Sequence, residues 1–350
     1  MTVPNEWVEP LLAWFGRCGR KLPWRGAKPR DPYHVWVSEI MLQQTRTETV
    51  KAYFTRWMAL FPTVADLARA EEENVLRAWQ GLGYYSRARN LLRAAREIAV
   101  RCGGRIPSDV KTLKSLPGIG EYTAGAIASL AYGRPVPAVD GNLLRVLARL
   151  YAVEADILSP EGKKRITGLA ERVIPPDRPG DFNEALMDLG AEICIPKAPR
   201  CTVCPLQHSC EARRRGLETV LPVRKPRRAQ EVFYAACLVA RRGDQVLLHH
   251  RPARGMLASL WELPTYLAGS EEASCTLARE AARGVLGSPV WTHRHVFTHQ
   301  IWYMKAYPVR LEELPGPAGE YTWAGPDERE RLPLCGPCSR FFAEEGTALF

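Results

Sequence analysis

Apolar positions recur every three to four residues through most of residues 1–211, and every second residue through much of residues 230–350. The first spacing is that of one helix face and the second that of one strand face, so the pattern predicts a helical domain followed by an α/β domain. Helices are predicted around Trp7 to Phe15, from Tyr33 to about Thr45, from Val64 to Leu76, from near Glu121 through Ile127, and over Leu143 to Leu150, Pro160 to Arg172 and Phe182 to Ile193. Strands are predicted over Val232 to Ala240 and Val246 to His250, around the turn Arg242-Gly243-Asp244, and again near Val296 to Tyr307, with a helix around Thr276 to Leu286. Between the two regions runs RRRGLETVLPVRKPRR, Arg213 to Arg228, a basic and proline-containing connector assigned to residues 212–229.

Two stretches stand out within the helical region. The helix entered at Asp31-Pro32, an N-cap followed by proline at the first helical position, is apolar nearly all round: Tyr33, Val35, Trp36, Val37, Ile40, Met41, Leu42. Such a helix is buried on most faces. Glu39 in its middle has two readings that the pattern alone leaves open: one exposed spot on the helix, or a desolvated carboxyl with a raised pKa that holds a proton near neutrality. The second stretch, LPGIGEYTAGAIASLAYGRPVPAVDGN from Leu116 to Asn142, opens on two glycines, Gly118 and Gly120. They allow a tight helix-to-helix turn whose free amides can hold a phosphate at a helix start, although an ordinary helix end gives the same pair. The stretch closes on Asp140-Gly141-Asn142, where backbone amides at the next helix start are expected to keep Asp140 ionised.

Charge sharpens this picture. The chain carries a formal net charge of +10, and residues 1–229 hold 36 of its 48 Lys and Arg against 24 of its 38 Asp and Glu. A positive surplus confined to the region with the phosphate-binding turn points to a polyanionic partner. No run approaches 18 apolar residues and the first ten residues carry no apolar core, so a cytosolic protein with no membrane segment is expected. In that compartment the ten cysteines are not expected to form disulfides. Cys194, Cys201, Cys204 and Cys210 lie within 17 positions and read as metal ligands; four thiolates suit zinc and a four-iron cluster equally. Cys335-Gly-Pro-Cys338 has the spacing of a redox or metal half-site, but no second pair lies nearby and packing is expected.

These motifs together resemble the base-excision DNA glycosylases related to endonuclease III: a helix-hairpin-helix, a Gly/Pro-rich loop, an aspartate, and a C-x6-C-x2-C-x5-C loop. The resemblance implies an all-α glycosylase domain whose cysteines hold a structural [4Fe-4S] cluster, with Lys197 and Arg200 of that loop near phosphate. The lyase branch carries a lysine two residues after the second hairpin glycine; this chain has Tyr122, which closes the imine route to strand cleavage. Tyrosine there is similar to the MutY-type adenine DNA glycosylases. In that family WVSEIMLQQT, Trp36 to Thr45, carries the general acid, which implies Glu39 as acid, with Gln44 and Thr45 at the duplex. WQGLGYYS, Trp79 to Ser86, implies Leu82 and Tyr84 as further duplex contacts, Tyr84 filling the gap left by an everted base. Tyr85 is expected in the core. LPWR and NEALMDLG imply Arg25 and Glu184 near the adenine pocket.

The second domain resembles a Nudix domain, yet the metal-binding glutamate pair of the hydrolases is replaced by Arg283-Gly284, so pyrophosphate hydrolysis is not expected. Phe297-Thr298-His299 is similar to the Phe-Ser-His triplet by which the family recognises 8-oxoguanine, with a threonine in place of the serine. The implied reaction is hydrolysis of the adenine N-glycosidic bond opposite 8-oxoguanine or guanine in double-stranded DNA, by a monomer. Glu39 protonates the base, Asp140 faces the cationic sugar, and Tyr122 and Asn142 orient them. Three rivals stand beside it: a glycosylase/lyase, a non-enzymatic iron-sulfur DNA binder and a Nudix hydrolase.

Overall fold

The computed structural model describes residues 5–26, 28–225, 229–311 and 320–345, so residues 226–228 of the connector lie outside it. The chain divides into two compact units, Met1–Ala70 with Asn90–Pro226, and Glu71–Arg89 with Arg227–Phe350. The helical half contributes α1 (Val8–Cys18), α2 (Pro32–Leu42), α3 (Thr47–Leu60), α4 (Val64–Arg69), α5 (Glu72–Trp79), α6 (Ser86–Arg101), α7 (Val110–Ser115), α8 (Glu121–Ala126), α9 (Gly141–Leu150), α10 (Pro160–Val173), α11 (Pro179–Glu192) and α12 (Glu211–Arg214).

The first unit is built on two helices that are buried on most faces. In α2, eight of eleven residues are buried, and Asp31 caps it by accepting from the amides of Tyr33 and His34. In α11, ten residues from Pro179 to Gly190 are buried, among them Asn183, Glu184 and Asp188. Helices α1 and α9 pack on α11, and α10 packs on α9, in one core that includes Leu11, Leu147, Ile166 and Phe182. Burying polar groups at such positions is costly unless they are paired, which marks them as functional or structural anchors.

The predicted single helix from Val64 to Leu76 is two helices. Arg96 takes the carbonyls of Ala68 and Ala70 at 3.2 and 2.9 Å, the acceptors a continuing helix would use, and Ala70 turns extended. Helix α3 answers to apolar positions at Val50, Phe54 and Trp57, a sparse stripe that the pattern reading did not include. After α8 the chain widens into a π-turn, Ile127–Ala131. A side chain at Gly125 would meet the Pro137 carbonyl at 2.7 Å, so this glycine lets the Gly/Pro-rich loop lie directly against α8 on its way to Asp140.

The second unit carries a seven-stranded sheet: β1 (Glu231–Arg242), β2 (Gln245–His250), β3 (Trp261–Glu262), β4 (Thr265–Ala268), β5 (Trp291–Val296), β6 (Gln300–Val309) and β7 (Tyr321–Ala324). Its main path is β3-β2-β1-β6-β5, with β4 against β1 and β7 against β2. β1 and β6 run parallel from Glu231↔Gln300 to Ala240↔Val309, while β5 and β6 form an antiparallel hairpin whose turn holds Phe297 to His299. Helix α13 (Glu271–Ala282) starts and ends earlier than predicted. Ser270 caps it by accepting from Ala273, and Arg283 takes a left-handed conformation, φ 51°, that ends it. Two short helices, α14 (Pro326–Arg331) and α15 (Gly336–Glu345), complete the unit.

Candidate active site

A cavity of about 650 Å³ in the first unit is lined by Glu39 from α2, Tyr122 from α8, Asp140 and Asn142 at the start of α9, and Arg25 and Glu184. Residues from five separate stretches of sequence thus meet around one space. Gln44 and Thr45 line it too.

The two carboxyl groups sit in unlike surroundings. Glu39 is buried, 5% exposed, and its loss of hydration pushes its pKa up to about 7. A hydrogen bond from the Tyr122 hydroxyl pulls it down, and the charges of Asp140 and Glu184 push it up. Asp140 caps α9 through the Leu143 amide at 2.7 Å and accepts from the Asn142 side chain at 2.7 Å. These bonds favour its charged form, as expected of a helix cap, but the protein around it outweighs them and raises its pKa. The desolvation of a carboxylate here exceeds what the donors return, which moves its pKa upward without by itself protonating it at neutral pH. Asp140 is partly buried and Glu39 fully so, and both line the cavity.

Behind the cavity stands a ladder of ion pairs. Arg25 contacts Glu184 through Nε at 3.0 Å and grips Asp188 with both terminal nitrogens at 2.7 and 2.9 Å. Arg20 adds two donors to Asp188, and Arg30 reaches Glu184. Burial alone would push Asp188 up; the bonds from Arg25 and Arg20 outweigh it and hold its carboxyl below the usual range. Asp188 and Arg30 were not singled out from sequence. Their only signal was polar residues at positions where a helix or loop faces inward.

The Cys194–Cys210 loop adjoins α9. Arg145 joins Asn142 Oδ1 at 2.8 Å to the Cys194 carbonyl at 2.7 Å, so a chain of bonds runs from Asp140 through Asn142 and Arg145 to the loop. Arg149, 1% exposed, donates to the carbonyls of Cys194, Ile195, Pro196 and Leu221 and to the Cys194 sulfur at 3.3 Å. The four thiols are close enough that Cys194 affects each of the other three, and backbone amides of Leu206, Ala212 and Arg213 point at Cys204 and Cys210. Among the described residues no group of three or more His, Cys, Asp or Glu side chains is arranged to hold a metal ion.

At the hairpin, Gly118 has φ 77° and a side chain there would strike Asn90 at 2.8 Å; Gly120 has ordinary φ and open space in front of it. The close turn is thus required at Gly118 and the open approach is at Gly120. Gln44, exposed, and Tyr84, 44% exposed, both hold left-handed backbone, φ 59° and 47°, strain that a non-glycine residue keeps at functional turns. Leu82 is different. It is 5% exposed and packs inward, so it is a core residue and not a surface contact for a duplex. Tyr85 is buried, as is Arg87 at the start of α6, which donates to the Leu82 and Gly83 carbonyls.

Residues 37–176 match the family model of the HhH-GPD superfamily of base excision DNA repair proteins, and residues 235–344 match that of the NUDIX domain. The adenine DNA glycosylase of Mus musculus is 38% identical, over 87% of this chain and 70% of its own length. The chain belongs to the adenine DNA glycosylase family. Relatives from Rattus norvegicus and Homo sapiens are 41% and 40% identical over 73% of this chain; it spans 59% and 56% of their lengths. Among solved structures, a thermostable thymine-DNA glycosylase is 29% identical with a TM-score of 0.54, over 60% of this chain and 95% of that one. A trapped endonuclease III–DNA covalent intermediate shares the helical fold, with a TM-score of 0.51 and 22% identity over 60% of this chain and 95% of its own.

In this family member the second unit places the triplet on the β5–β6 turn. The Thr298 hydroxyl is hydrogen-bonded to that of Tyr84, Phe297 packs edge-on against Trp302 at 4.8 Å, and His299 is exposed. The Cys335 and Cys338 thiols are buried, 2% and 3% exposed, and hydrogen-bonded to one another.

Proposed function

We propose that the chain is a monofunctional adenine DNA glycosylase that hydrolyses the N-glycosidic bond of adenine opposite 8-oxoguanine or guanine, working as a monomer on double-stranded DNA in the cytoplasm. One observation carries this reading: a single cavity brings a buried carboxyl with pKa about 7 together with a second carboxyl, Asp140, that accepts two hydrogen bonds at a helix start. Neutral adenine leaves poorly, so an acid must protonate a ring nitrogen while an anion faces the charge growing on the sugar.

Glu39, protonated near neutrality, gives its proton to the everted base. The bond to the sugar breaks with its electron pair going to adenine, and Asp140 stabilises the cationic sugar until water adds and loses its proton. Tyr122 holds the Glu39 carboxyl, and Asn142 holds Asp140. Arg25 and Glu184 edge the base pocket, Gln44, Thr45 and Tyr84 meet the duplex, and the amides at Gly118 and Gly120 take a phosphate. Phe297, Thr298 and His299 meet the opposing base.

Cys194, Cys201, Cys204 and Cys210 fit a [4Fe-4S] cluster: four thiols around one space, amides aimed at two of their sulfurs and Arg149 at a third. A cluster several atoms wide suits thiols that are neighbours without forming a single-ion cage. Bound there, it would supply a rigid closed crosslink; Arg145 and Arg149 tie that loop to α9. Duplexes with adenine opposite 8-oxoguanine, guanine and thymine test the assignment. Base release is expected from the first two, and turnover of uracil- or cytosine-containing duplexes instead would overturn it.

A further inference from the structure

A second cavity of the first unit, about 620 Å³, is lined by the loop after α1, by Lys51 of α3 and by residues around the start of α11. Of its described lining residues seven are lysine or arginine and one, Asp181, is acidic. That acid is already shared between Lys28 and Arg178. The carboxylates that neutralise Arg20, Arg25 and Arg30 do not line this space: Glu184 lines the catalytic cavity and Asp188 is fully buried. Lys21 is exposed and makes no ion pair among the described residues. Among the described residues Lys51 pairs with Glu48 alone, whose side chain is 82% exposed, a pairing of little weight in water.

The charge left uncompensated here is that of Lys21 and of Lys51, beside Lys28 and Arg178 which share the single Asp181, and a concave surface with such a surplus gathers anions. Arg20, whose side chain is partly exposed, is held from behind by Asp188, so its position does not need to be organised by a ligand. We propose that this cavity binds a phosphate group, at a site separate from the hairpin amides of Gly118 and Gly120. Arg20, Leu22 and Arg25 line both cavities, so an occupied phosphate site shares a wall with the base pocket. The phosphate belongs either to the backbone of the bound duplex or to a free phosphoanion. The first source rests on the reading of the chain as a DNA-acting protein and the second does not.

Lys21→Ala/Lys51→Ala in the full chain, with Lys21→Arg/Lys51→Arg as the charge-keeping control, separates the sources. If the backbone occupies the site, the affinity for undamaged duplex lost between 50 and 200 mM salt shrinks by about threefold per lysine in the alanine variant and recovers in the arginine variant. If a free anion occupies it, calorimetry with inorganic pyrophosphate on the DNA-free protein shows binding that the alanine variant loses. An unchanged salt dependence, together with pyrophosphate binding that is absent or survives the substitution, overturns the proposal. Duplex binding is read here without base release, so loss of the glycosylase assignment would not be mistaken for loss of this site.

Discussion

Tyr122 donates its hydroxyl to a carboxylate oxygen of Glu39, and this bond favours the charged form of a group that burial drives the other way. The acid form of Glu39 is lost as pH rises through about 7, so single-turnover excision should decline above that value. Tyr122→Phe removes an interaction that lowers the Glu39 pKa and should move this alkaline limb to higher pH. Glu39 and Asp140 interact, so the limb reports the pair. A Tyr122→Phe profile that stays in place would remove the tyrosine from the acid's environment.

The same shift makes Glu39 a stability liability. Its folded pKa lies above the ordinary value of 4.5, so its favourable contribution is complete below about 4.5 and is lost as pH rises toward 7. Above 7 the native state carries a buried charge costing about 3 kcal/mol relative to the protonated form. Glu39→Gln should therefore abolish base release and melt at higher temperature than the parent at pH 8, with the gap closing at pH 4. Equal melting temperatures at pH 8 would refute the buried-acid description.

Asp140→Asn keeps an oxygen for the Leu143 amide and removes the negative charge. Duplex binding should survive, and single-turnover excision should fall by about a thousandfold, the scale on which one electrostatic partner of a transition state acts. Near-normal excision would take Asp140 out of the chemistry.

Asp188 receives bonds from the Arg20 amide and from both Arg20 and Arg25 side chains while itself 0% exposed. Asp188→Ala leaves the buried Arg25 paired with Glu184 alone and Arg20 without its carboxylate, and should cost about 3 kcal/mol in denaturant unfolding. A loss below about 1 kcal/mol would show that water replaces the carboxylate and that the ladder is looser than its distances suggest.

Thr298→Val removes the hydroxyl that bonds to Tyr84 while keeping shape. The ratio of excision opposite 8-oxoguanine to that opposite guanine should fall by up to about tenfold, the scale of one hydrogen bond. An unchanged ratio would place recognition of the opposing base elsewhere.

Sequence determined the elements whose chemistry is local. The Asp31-Pro32 start of α2, the all-round apolar character that buries Glu39, the Gly118 turn, the Asp140 cap and the spacing of Cys194 to Cys210 all follow from near neighbours in the chain. Tertiary structure decided what depends on groups far apart in sequence. Arg96 took the carbonyls of Ala68 and Ala70 where α4 stops, Leu82 turned inward, burial outweighed the donors at Asp140, and Asp188 gathered Arg20 and Arg25 across more than 160 positions. The cause is common to all four: hydration lost and hydrogen bonds gained are set by whichever atoms pack against a group, and a linear pattern shows that a residue faces inward without showing what it will face.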